Sequence, residues 1–121
     1  MLARGNNFQG SDAGLTVSAW RPPGRTRRAR VSLVGEVDTA VAGLLSEAVD
    51  WLAADTPPGV LIDLAGVTFA GSALLNFFGR LSHAMPADGE LVVWRSSPSA
   101  DLVLRTGALR RSVPRSVLLS T

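Results

Sequence analysis

The residues with the most chemical potential gather around Ser72, where the hydrophobic pattern of the chain changes its period. Val60-Leu61-Ile62-Asp63-Leu64 opens a short apolar run rich in β-branched side chains, the pattern of a buried strand. The run breaks at glycine, passes a small-residue elbow at Ala70-Gly71-Ser72-Ala73, and turns helical from about Ser72. A helix starting there offers first-turn N–H groups without intrahelical partners and a partial positive charge, and both favour anions. The Ser72 hydroxyl then has two uses. It can cap the helix, or it can carry a phosphate close to those N–H groups.

Other chemistry is poorly supported. His83 is the single histidine, so no histidine pair can bind a metal. About three turns of one helix separate it from Ser72, too far for a nucleophile and its base. Asp38 and Asp63 are expected near the elbow, at the ends of adjacent strands. Two carboxylates there suggest acid–base work or magnesium, but a helix cap at Asp38 and a strand-end acceptor at Asp63 are the preferred readings. With no cysteine, disulfides and thiolate catalysis are excluded. The chain also lacks lysine, a phosphate-loop motif and a Gly-x-Gly-x-x-Gly motif. No catalytic residue, cofactor or metal is expected, and the chain is not read as an enzyme.

At 121 residues the chain has the length of one domain, and its 46% apolar content is ordinary for a globular protein. No apolar run reaches membrane-spanning length, and the first residues lack a signal-peptide core, so a cytoplasmic location is expected without membrane insertion. The formal charge is +2, and every basic residue is arginine. Two arginine clusters, Arg21 to Arg30 and Arg105 to Arg115, could meet nucleic acid through electrostatics. Nothing aromatic is interleaved with the first cluster to stack on bases, so solvated loops are preferred and nucleic acid is not an expected partner.

The elements that must hold Ser72 follow from periodicity. Residues 1–13 are polar and glycine-rich and read as a flexible N-terminal arm, leaving 14–121 as the folded domain. Gly14 to Trp20 and Ala29 to Gly35 both alternate apolar and polar, suggesting an antiparallel pair around a Pro-Gly loop. Val41, Leu44, Leu45, Ala48 and Leu52 recur at helical spacing, with Trp51 sealing the edge of that stripe. From Ser72, the positions Leu74, Phe77, Phe78, Leu81 and Met85 form a buried helical face. Asn76, Arg80 and His83 continue a polar face from Ser72, with Gly79 as a flat spot beside it. Glu90 to Arg95 reads as a strand. Ser97 and Pro98 open a short helix that Gly107 stops, and Ser116 to Ser120 reads as a closing strand. The pattern predicts an α/β domain with a largely parallel sheet and an antiparallel strand at its amino end. Apolar Trp20 or Trp94 near a sheet edge could serve a homodimer.

Val31-Ser32-Leu33-Val34-Gly35-Glu36-Val37-Asp38, followed by a helix and then Val60 to Ser72, resembles a STAS domain, in particular the anti-sigma factor antagonists of bacteria. The likeness runs from about Leu15 to Leu119. It implies a mixed sheet of about four to five strands with helices mainly on one face. It also implies a function: an anti-sigma factor with serine-kinase activity binds the antagonist and phosphorylates a serine at the helix N-terminus, and the phosphate breaks the complex. Ser72 is the matching phosphoacceptor. Asp38, Gly71, Ser72, Ala73, Asn76, Gly79, Arg80 and His83 are the expected partner-binding positions. The sequence departs from the family pattern in having Gly71 where aspartate is usual, and Ala73-Leu74 where a small residue and glycine are usual. A second reading is therefore a STAS-like structural or scaffold subunit, of a transport or signalling complex for example, without phosphorylation.

Overall fold

Alternation of side chains along the strands decides the architecture. A computed structural model describes residues 7–21, 28–54, 58–86 and 89–106, and the backbone of Ser116–Leu118. The strands are β1 (Asn7–Asp12), β2 (Leu15–Trp20), β3 (Ala29–Val37), β4 (Gly59–Ala70), β5 (Glu90–Ser96) and β6 (Ser116–Leu118). They form one six-stranded sheet in sequence order. The first two pairings, β1–β2 and β2–β3, are antiparallel, and the remaining three are parallel. Three helices complete the fold: α1 (Ala42–Ala53), preceded by a 3₁₀ turn at Thr39–Val41, α2 (Ser72–Ala84) and α3 (Pro98–Thr106).

Leu15 and Val17 on β2, Val31 and Leu33 on β3, Ile62 and Leu64 on β4, and Leu91 and Val93 on β5 point to one face and are almost fully buried. The helices cover that face. Val41, Leu44, Leu45, Ala48 and Leu52 are buried as their spacing predicts, and so are Leu74, Phe77, Phe78 and Leu81 of α2. Phe77 and Phe78 meet edge to face with ring centroids 6.3 Å apart. Burying each such side chain contributes roughly 1.5–3 kcal/mol before the entropy of ordering is subtracted. The opposite face of the sheet carries Thr16, Ser18, Trp20, Arg30, Ser32 and Val34, and no described helix covers it. The α/β class, the mixed sheet and the one-sided helices match the sequence expectation.

The structure differs from that expectation in three places. Asn7–Asp12 is a paired strand, not a loose arm, and it brings the sheet to six strands. Phe8 packs against the core with its ring 6.1 Å from Trp51, while a side chain on Gly10 would run into Leu44. Glycine at an inward position hides the alternation from a sequence reader. Ala13 and Gly14 both have positive φ and make the two-residue hairpin turn. Second, β4 does not break at Gly66 but continues to Ala70, absorbing the irregularity as a register shift against β3. Third, Ser72 does not cap α2, as described below. Trp51 seals the core edge as expected: the Arg21 guanidinium lies 4.1 Å from its ring centre and donates to its carbonyl.

Ser97 and Pro98 open α3 as expected, the Ser97 hydroxyl accepting from the Ala100 N–H at 3.2 Å. The Pro-Gly loop, the Gly107 stop, the arginines after Arg105 in the second cluster and Leu119-Ser120 lie outside the described residues. Among the described residues no helix is long and apolar enough to cross a membrane.

Candidate functional site

The elbow between β4 and α2 is built by two neighbouring strand ends. The Gly71 N–H donates to the Val37 carbonyl at 2.9 Å, which ties the start of α2 to the end of β3. The next residue on each chain, Asp38 and Ser72, therefore leaves the sheet at the same edge. Gly71 is the N-cap, in extended conformation, and its carbonyl accepts from the Leu74 N–H at 3.1 Å. Ser72 is the first helical residue. It is exposed, and the helix has no side-chain cap. The capping role read from the sequence is thus not taken by Ser72, because a capping side chain must come from the residue before the first helical one.

Asp38 does cap. Its Oδ1 accepts from the Ala40 N–H at 2.9 Å, and its carbonyl accepts from Val41 at 3.1 Å, which together shape the 3₁₀ turn. Asp63 lies elsewhere. It sits seven residues before the end of β4, on the order of 20 Å along the strand. Its Oδ1 accepts from the Ala65 N–H at 3.0 Å, and its Oδ2 accepts from Arg95 at 2.6 Å. The two aspartates do not form a carboxylate pair. Among the described residues no group of side chains comes together that could hold a metal ion.

Along α2, Ser72, Asn76, Arg80 and His83 are all exposed, so the predicted polar face exists as one stripe. Arg80 is held rather than free: it donates to the Ser46 hydroxyl on α1. Ala73 faces inward at 5% exposure and reaches the surface only in a shallow groove between the helices, which Thr39, Ala42, Leu45, Asn76 and Arg80 also line. One helical step of about 100° carries it from the Ser72 stripe towards the core side, where it borders that groove. Gly79 has nothing within 4 Å of where a Cβ would stand, which fits the expected flat spot. His83 closes the last turn, where a positive charge would complement the helix dipole.

Two residues of this surface escaped the sequence reading. Phe69 is 51% exposed, and its ring lies beside Gly71. In sequence it reads as one more apolar strand residue; only the β4 irregularity turns it outward. Ser46, on the polar side of α1, gave no signal that it would anchor Arg80. The glycine at 71 is not imposed by sterics. Its φ is −116°, and a Cβ would meet no atom closer than 3.7 Å. Among the described residues the shifted ionisations are remote, on α3: the hydrogen bond from Arg105 holds the Asp101 carboxyl below its usual range and raises Arg105 in turn.

No family model matches the sequence, and neither does any curated protein. Solved structures do match its fold. An anti-sigma factor antagonist from Mycobacterium paratuberculosis is 25% identical, with a TM-score of 0.72 over 86% of this chain and 85% of that one. The anti-sigma factor antagonist SpoIIAA, solved in its unphosphorylated form, is 15% identical, with a TM-score of 0.60 over 84% of each chain. The STAS-like resemblance in the sequence is therefore a likeness of the whole fold.

Proposed function

We propose that this chain is a non-enzymatic regulatory binding protein of the anti-sigma factor antagonist type. Its partner is an anti-sigma factor or similar serine kinase, which docks on the elbow and the exposed stripe of α2. The observation that carries the reading is Ser72 itself: exposed, at the first position of α2, free of a capping role, in a chain folded like known antagonists. Phe69 adds an apolar contact beside it. Phosphorylation of Ser72 would bring about two negative charges to the centre of that surface. A partner face packed closely on the uncharged hydroxyl would have to accommodate and desolvate that charge beside the Asp38 carboxylate, so the contact would be disrupted.

The test has two arms. Mass spectrometry of the tryptic fragment Val31–Arg80 from native cells should find a phosphate on Ser72 that varies with growth conditions. Calorimetry against a kinase-like ATPase domain of an anti-sigma factor from the same cells should show binding by the unmodified chain and by Ser72→Ala. Ser72→Glu should weaken it by at least about tenfold, or roughly 1.4 kcal/mol. The scaffold-subunit reading is favoured by Gly71, where a side chain would fit and none is present. A fragment unmodified under every condition, together with binding indifferent to Ser72→Glu, would establish it instead.

A further inference from the structure

On the sheet face opposite the helices, a cavity of about 350 Å³ opens between Trp20 on β2 and Trp94 on β5. Leu61 lies in its floor, with Arg30, Ser32 and Asp63 around it. We propose that this cavity is a binding site for a small planar aromatic acid, a one- or two-ring molecule with a single carboxylate. The inference does not depend on the antagonist reading, since the elbow belongs to the other side of the sheet.

Four observations support the assignment. Both indoles are partly exposed, Trp20 at 43% and Trp94 at 39%, and both line the same concavity, offering aromatic walls to a flat ligand. The Trp94 wall is braced: the Arg95 guanidinium lies 4.3 Å from its ring centre and is itself fixed by Asp63 at 2.6 Å. That pairing also neutralises Asp63, the one carboxylate among the described residues lining the cavity, so it does not repel an anion. Arg30 is exposed and makes no ion pair among the described residues, which leaves a guanidinium available for a carboxylate. The volume is at the small end for ligand cavities and suits one or two rings rather than an extended chain.

The experiment titrates the full chain with 1-naphthoate and with its neutral amide, 1-naphthamide, and follows backbone amide shifts. Naphthoate should bind saturably, with a dissociation constant on the order of 0.1–1 mM and shifts centred on Ser32, Leu61 and Arg95. Naphthamide should bind at least about fivefold more weakly, and Arg30→Gln should lose a similar factor for naphthoate while Arg30→Lys recovers part of it. Trp94→Ala should weaken both ligands alike. Ser72→Glu should leave naphthoate binding unchanged, which keeps this test separate from that of the elbow. The proposal is overturned by an absence of saturation, by equal affinity for acid and amide, or by shifts centred on α2. It is also overturned if sedimentation shows two copies associating through this face and Trp20→Ala separates them.

Discussion

Gly35 illustrates how one residue can be fixed by its backbone. Its φ is +118°, a conformation that L side chains rarely adopt, and a Cβ there would stand 2.0 Å from the Gly14 carbonyl oxygen. That carbonyl accepts from the Glu36 N–H at 3.1 Å, so the hairpin turn cannot move aside without losing the bond. Gly35→Ala should therefore destabilise the fold by about 3 kcal/mol or more, combining conformational strain with a backbone clash. Gly71→Ala, at an ordinary φ with room for a Cβ, should stay within about 1 kcal/mol of the native chain. Urea midpoints of the two variants check the contrast; equal midpoints would mean that the β2–β3 backbone relaxes around the new methyl. Neither difference is legible in the sequence. Both glycines follow apolar residues at a strand end, and only the dihedral angles distinguish a required glycine from a permitted one.

At the scale of elements, the sequence was legible wherever periodicity and burial agree. The stripes of α1 and α2 are where 3.6-residue spacing puts them, and the polar stripe from Ser72 to His83 is exposed. The reading fell short where one position hides the period. Gly10 removes an inward side chain from β1, and Gly66 interrupts the apolar run of β4 without ending it. Ala73, among the expected partner-binding positions, is turned inward by the helix and borders the groove between α1 and α2. The same helix geometry supports a prediction about Gly79. An alanine there finds open space and should stabilise α2 by about 0.5–1 kcal/mol through helix propensity alone. If the flat spot beside Asn76 and Arg80 receives a partner, the added methyl should weaken binding of the kinase-like domain at the same time. A more stable variant with unchanged affinity would remove Gly79 from the contact surface while leaving Ser72 and Phe69 in it.

For the whole molecule, the sheet separates two surfaces: a helix-covered side carrying the elbow, and an open side carrying the cavity between Trp20 and Trp94. Strand β1 serves both. Phe8 and Gly10 lie against α1 on the covered side, while Asn7 and Gln9 line the cavity on the other. It also occupies the edge of β2 over six residue pairs, from Asn7 opposite Trp20 to Asp12 opposite Leu15. Deleting residues 1–12 would strip the N–H and C=O groups of β2 of those partners and create an unprotected edge beside an apolar core. The Phe8 contact alone is worth roughly 1–3 kcal/mol, and the lost strand pairing adds to it. The truncated chain should therefore show a lower urea midpoint and should self-associate more than the full chain as concentration rises, measured by sedimentation. Its naphthoate affinity should fall too, because one wall of the cavity goes with the strand. A truncated chain with the midpoint and sedimentation of the full one would show that the folding unit begins at Gly14 and that β1 is an appended ribbon. A loss in both measurements would move the domain boundary to Asn7 or earlier, placing the residues read as an arm inside the fold.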